Sequence, residues 1–235
     1  MDVRPASLRV LLLDVGNTLA FLDMEAVAQV AAREGSPVPV EALARVEGRA
    51  KRRYEALMAA GVSHEEGWGL YLITLLEEAG VGADAARALV GPLRRAHDVL
   101  NLWRRVPSEL RAALDRARAS GLRLAIVSNS EGMLPQLLAH VGLAESFELV
   151  VDSHHEGVRK PDPEIFRRAL HRLGVAPEEA VYLGDIPGVD VVGANAAGID
   201  AVLVDPFDFY PDHAGPRVPS VAAWVDAYLD ATAHA

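Results

Sequence analysis

A doubly wound parallel α/β sheet interrupted by a helical insertion is the fold class predicted by this 235-residue sequence. Two observations predict the sheet. Short apolar runs with no polar alternation read as strands buried on both faces, and from Pro107 onward such runs alternate with amphipathic helical patterns. A third predicts the insertion: from about Asp23 to His97, Ala, Leu, Glu and Arg dominate and β-branched runs disappear.

The first strand is expected over Leu8 to Leu13, an apolar run that stops at an acid, Asp14. In the insertion, Gly35, Gly61 and Gly80 with Pro37 and Pro39 divide the chain into several helices. A helix follows over Ser108 to Ala119, closed near Gly121, then a strand over Leu122 to Val127 and a short strand over Leu149 to Val151. Asp162 and Pro163 form an N-cap and first-turn pair for a helix through Leu173, which Gly174 ends. Ala180 to Leu183 is the next strand, and a helix over about Val189 to Ala197 stops at Gly198. Ile199 to Val204 reads as a further strand, Asp205 to Pro219 as a Pro- and Asp-rich loop, and Ser220 as the cap of a terminal helix. The expected division is a core of residues 1–20 and 100–235 with a helical domain over 21–99.

Composition excludes several function classes. The chain carries 23 basic and 33 acidic side chains, a formal charge of −10, so its average field repels nucleic acid and anionic membranes. Having no cysteine, it can form neither a disulfide nor a thiolate-metal site, and it lacks a thiol nucleophile; a cytoplasmic location is the simplest fit. Met1 to Leu8 has no apolar core of signal-peptide length, and Val10 to Leu13 is only strand length. A soluble, unprocessed protein is expected, a monomer or homodimer.

Polar residues follow four of the apolar strands: Asp14 and Thr18, Ser128 and Asn129, Asp152 on the way to Lys160, then Asp185 and Asp190. Parallel strands bring such positions to one rim, where ligands of open α/β sheets bind. A carboxylate at a strand end, followed by the turn Val15-Gly16-Asn17-Thr18, suits a covalent nucleophile. Asp185 and Asp190 offer the hard oxygen ligands that Mg²⁺ prefers. Lys160 can neutralise charge between nucleophile and phosphoryl oxygens, while the Ser128 hydroxyl and nearby main-chain N–H groups, including that of Asn129, can bind phosphate oxygens. Together the set describes a phosphoryl-transfer site.

Blander roles compete. Asp14 could cap a turn, Ser128 and Asn129 are common turn residues, and Asp190 could cap the following helix as readily as touch a metal. Asp162 reads as an N-cap, and His154 with His155 as a solvated loop beside the site. Trp68, Tyr71 and Trp103 read as packing of the helical domain, and Arg49, Lys51, Arg52 and Arg53 as a solvated helix face.

The strings LLLDVGNTL, IVSNS, GVRKPDPEIF and YLGDIPGVDVVGANAAG resemble, in order, the four signatures of the haloacid dehalogenase superfamily. The helical stretch between the first two is similar to that family's α-helical cap. The resemblance implies a Rossmann-like core, with Asp14 as nucleophile, Ser128 as phosphate-binding hydroxyl, Lys160 as charge-stabilising lysine and Asp185 with Asp190 as metal-associated acids. It further implies Mg²⁺, with the Gly16 carbonyl among its ligands. The sequence departs from the family's phosphatases at Gly16, where they carry the aspartate that protonates the leaving group. Two alternatives therefore stand beside the phosphatase: a metal-free 2-haloacid dehalogenase, and a phosphate- or metabolite-binding module without turnover. The Gly184-Asp185 pair favours phosphate chemistry over the dehalogenase.

Overall fold

A computed structural model describes residues 8–62 and 64–234. The N-terminal reading over Met1 to Leu8 therefore lies, but for Leu8, outside the described residues.

The chain forms two compact units, Met1–Phe21 with Trp103–Ala235, and Leu22–Leu102. The first contains six parallel strands: β1 (Val10–Leu13), β4 (Arg123–Ser128), β5 (Leu149–Asp152), β6 (Ala180–Gly184), β7 (Asp200–Val204) and β8 (Arg217–Val218), in the order β5-β4-β1-β6-β7-β8. Its helices are α5 (Leu110–Ala119), α6 (Leu134–His140), α7 (Ser153–Glu156), α8 (Glu164–Leu173), α9 (Val192–Ala196) and α10 (Val221–Ala233). Two further strands, β2 (Phe21–Leu22) and β3 (Trp103–Arg105), pair separately where the chain leaves and re-enters this unit. The second unit is helical: α1 (Met24–Arg33), α2 (Val40–Ala59), α3 (His64–Glu78) and α4 (Ala83–Val99), with α3 packed on both α2 and α4.

Strand β1 shows why its sequence is apolar at every position. Leu11 and Leu13 point into one cluster with Ile126, Leu183 and Trp224, while Val10 and Leu12 point into another with Ala125, Phe166 and Tyr182. All four β1 side chains are buried, as a central strand covered by helices on both faces requires. The sheet grows from β1 toward β4 and β5 on one side, then restarts at β6 on the other. Asp14 thus sits at the switch point, where crossover connections diverge and leave a crevice. Register aligns the strand ends: Leu13 lies level with Ile126 and with Leu183, and Ser128 with Asp152.

Three local readings need correction. The expected loop over 205–219 contains β8, which pairs with β7 at Leu203↔Arg217 and Val204↔Val218. Only two residues long, this strand has no periodic signal; it is anchored by Asp205, whose carboxylate accepts from the N–H groups of Phe209 and Tyr210 and from Arg217 Nη1. The helix expected from Val189 begins earlier, as a π-helical turn over Pro187–Val191 that runs into α9. Lys51 is not on a solvated face. It is 3% exposed and lies 3.4 Å from Glu55 one turn onward, because its phase on α2 matches that of the buried Glu47; Arg49, Arg52 and Arg53 are exposed as expected.

Helix α9 approaches the Lys160-Pro161 segment so closely that only glycine fits between them. A Cβ on Gly193 would lie 2.9 Å from the Pro161 carbonyl oxygen and 3.0 Å from its Cα. Gly193→Ala should therefore cost about 1–3 kcal/mol by overpacking, read as a lower urea midpoint at unchanged slope; an unaltered midpoint would refute the close approach.

Candidate active site

Asp14 follows β1 directly, and its N–H donates to the Leu183 carbonyl at 2.9 Å, continuing the ladder with β6. The main chain then folds tightly: the N–H groups of Leu19 and Ala20 both reach the Val15 carbonyl, and Asn17 adopts a left-handed conformation at φ 52°. Asn tolerates that region better than most residues. Gly16 does not need its glycine for conformation. A Cβ there would meet nothing nearer than Trp103 Cδ1 at 4.0 Å, so the position has room for a side chain.

Lys160 reaches Asp14 from the segment before α8. Its ammonium donates three bonds of 2.7 Å, to Asp14 Oδ1, Asp190 Oδ1 and the Tyr182 hydroxyl, and the residue is 3% exposed. An ammonium has three protons, and all three are engaged. Ser128, at the end of β4, donates from Oγ to the same Asp14 Oδ1 at 2.7 Å. Both bonds fall on Oδ1, so neither occupies Oδ2. Asn129 does not act through its main chain alone: its side-chain amide donates to the Lys160 carbonyl (3.0 Å) and accepts from the Lys160 N–H (2.8 Å). Thr18 is buried with no hydrogen-bond partner at its Oγ1.

Asp190 caps no following helix. Its Oδ2 accepts from the N–H groups of Asp185 (3.1 Å) and Ile186 (2.9 Å), closing the turn after β6, while its Oδ1 takes Lys160 and Tyr182. A carboxylate offers about four acceptor positions, and all four are used. The side chain lies over Gly184, where a Cβ would be 2.5 Å from the Asp190 Cγ. Oxygens of Asp14, Asp185 and Asp190 nevertheless lie within 4.8 Å of one another in a buried cluster.

Tyr182 is the residue that sequence reasoning missed. It lies on β6 with its ring edge-on to Phe166 at 4.9 Å, and its hydroxyl touches Lys160, Asp190 and the Val127 carbonyl. The sequence places it only within the apolar strand Ala180 to Leu183, and its ring is indeed core; the available signal was a hydroxyl two residues before Gly184 that burial obliges to find partners. The remaining candidates fall outside this constellation. Asp152 accepts from Ser130 Oγ and from the His154 N–H, starting the short α7 that holds His154 and His155. Asp162 accepts from the Glu164 N–H at the start of α8. Trp68 and Tyr71 are buried in the helical unit, whereas Trp103 belongs to the sheet-bearing unit.

The electrostatics follow from three carboxylates around one ammonium. Burial pushes the Asp14 carboxyl up; Lys160 opposes this, Asp190 and Asp185 reinforce it, and the outcome is about 6. Burial alone would pull Lys160 down, but Asp14 and Asp190 outweigh it and hold the amine above its ordinary value. Tyr182 is raised well above its ordinary value by burial, then by Asp190 and Asp14. Lysine is therefore the fixed cation, and the cluster retains surplus negative charge.

Two outcomes follow. In chelator-treated protein, Asp14 binds its proton more tightly folded, at about 6, than at its unfolded 3.8, so its contribution to stability is full below 3.8 and is lost as pH rises through 6. Urea midpoints of Asp14→Asn should consequently gain on those of the parent between pH 5 and 7.5; parallel curves would contradict this. Tyr182→Phe removes a bond from Lys160 and another from Asp190 in a buried site, and should lower stability by about 1–3 kcal/mol, measured by the same titration.

Comparison with known proteins identifies the family. A phosphoserine phosphatase of Thermus thermophilus is 44% identical over 131 residues, 55% of this chain and 51% of that enzyme, so the match spans about half the relative's length. The haloacid dehalogenase-like hydrolase domain-containing protein 3 of Bos taurus is 33% identical over 206 residues, covering 84% of this chain and 82% of that one. Among solved structures, the HAD-hydrolase YfnB from Bacillus subtilis, bound to magnesium, superposes with a TM-score of 0.71 at 22% identity, covering 95% and 98% of the two chains, a likeness of fold. Residues 8–198 match the family model described as haloacid dehalogenase-like hydrolase, and the chain belongs to that family of hydrolases.

Proposed function

We propose that this hydrolase is a Mg²⁺-dependent phosphatase that acts on a small phosphorylated metabolite through an aspartyl-phosphate on Asp14. One observation carries the reading: a buried lysine with all three protons engaged holds one oxygen of a strand-end carboxylate, and neither it nor Ser128 occupies the other oxygen. That pattern orients a nucleophile. Relatives named as phosphatases support the phosphate class.

The donor set fits magnesium, since clustered carboxylates with surplus negative charge are hard oxygen ligands for a small divalent cation. Asp14 and Asp185, with the Gly16 carbonyl, would hold it; Asp190 could join only by giving up a bond to Lys160, Tyr182 or the turn after β6. Bound there, Mg²⁺ offsets the repulsion between an anionic nucleophile and an anionic phosphoryl group. The chain's own residues do the rest. Lys160 fixes Asp14 so that Oδ2 faces the reacting phosphorus, and Ser128, by turning its one proton from Asp14 to a phosphoryl oxygen, joins nearby N–H groups in binding the phosphate. Thr18, buried with an open hydroxyl, is placed to take another polar contact. The helical residues 21–99 serve as the cap that selects the substrate. A cytoplasmic location suits a chain that has no cysteine, and among the described residues no helix is long and apolar enough to cross a membrane.

With Mg²⁺ and p-nitrophenyl phosphate or acetyl phosphate, the protein should release phosphate, chelation should stop it, and Asp14→Asn should lower the rate by roughly 10³-fold or more. Undiminished turnover in Asp14→Asn, or metal-independent chloride release from 2-chloropropionate without phosphate release, would overturn the reading.

A further inference from the structure

Among the described residues, the two side chains bonded to Asp14, Lys160 and Ser128, and those bonded in turn to Lys160 offer no proton suited to acid catalysis. Lys160 spends its three on Asp14, Asp190 and Tyr182. Tyr182 has one, shared between Asp190 and the Val127 carbonyl, both within 3.0 Å of its hydroxyl. Asp190 has all four acceptor positions occupied by donors. Ser128 and Thr18 are alcohols, no stronger as acids than an alcohol leaving group, and general acid catalysis needs a group whose pKa lies near the working pH. In the proposed function Asp185 is a ligand of the cation. Beside Gly16 there is open space, since the nearest atom to a Cβ is Trp103 Cδ1 at 4.0 Å, but glycine puts no proton donor there.

We infer that the site is built for acyl phosphates, whose leaving group departs as a stable carboxylate and needs no proton, and not for phosphate esters of simple alcohols. This deepens the proposed phosphatase function and rests on it. In the first step an Asp14 oxygen forms a bond to phosphorus while the bond from phosphorus to the bridging acyl oxygen breaks, and that electron pair leaves with the carboxylate. In the second, water oxygen bonds to phosphorus, the bond to Asp14 breaks, and its electron pair restores the Asp14 carboxylate. Both water hydrogens end on dihydrogen phosphate, which then ionises to solvent. Neither step requires a proton from the protein, so the committed network around Lys160 stays intact throughout.

The experiment compares kcat/KM of the protein with Mg²⁺ on acetyl phosphate, on a series of substituted phenyl phosphates and on glycerol phosphate, alongside Gly16→Asp and Asp14→Asn. The expected results are a preference for acetyl phosphate over glycerol phosphate of about 10²-fold or more, and a steep rise along the phenyl series as the leaving phenol becomes more acidic. In Gly16→Asp the preference should shrink through a gain on glycerol phosphate of roughly 10²- to 10⁴-fold. Equal rates on acetyl and glycerol phosphate, both lost in Asp14→Asn, would overturn the inference and leave the phosphatase reading standing. No Asp14-dependent release from any phosphate would overturn both. The phenyl series needs no variant, so a misfolded Gly16→Asp would leave the question decidable.

Discussion

The buried ammonium of Lys160 organises the rim beyond the strand ends. Lys160 draws together residues that are far apart in sequence: Asp14 after β1, Tyr182 within β6 and Asp190 in the turn beyond it, 146, 22 and 30 positions away. Desolvating that charge is expensive, and it is sustained because each proton has an acceptor at 2.7 Å and two acceptors are anionic. Remove the amine and two buried carboxylates lose the cation between them. The central strand brings Asp14 to the place, but the lysine fixes which of its oxygens is restrained.

The arrangement depends on backbone approaches that tolerate no side chain. Gly184 lets Asp190 lie across the end of β6, and Gly193 lets α9 sit against Pro161. Each clearance serves the same network from a different side: one sets the carboxylate that receives the ammonium, the other the segment that carries it. Gly16 differs in kind. Nothing crowds it, and it has the ordinary freedom of an unoccupied position.

Much of this was legible in the sequence, and the reason is geometrical. A run such as Val10 to Leu13, apolar at every position, can only be a strand covered on both faces, and in a parallel sheet whatever follows such runs must meet at one rim. Asp14, Ser128, Asp185 and the segment leading to Lys160 were found by that reasoning. What escaped was decided by partners rather than by pattern. Tyr182 looks like any other β6 side chain until its hydroxyl is seen beneath Lys160. Asp190 was left between capping and metal binding, and its actual work, gathering two N–H groups and two side-chain donors, needed the turn's path. Strand β8 is too short to have a period, and Lys51 is buried because helix phase outranks charge when a carboxylate waits one turn away.

The amide of Asn129 has a quieter consequence. Its two bonds go to the N–H and carbonyl of residue 160, not to the amine. The peptide frame that delivers the lysine is thus latched to the tip of β4 whatever side chain residue 160 carries. Scaffold and charge are anchored separately, so replacing the side chain at residue 160 leaves both main-chain bonds from Asn129 available to hold the loop's path.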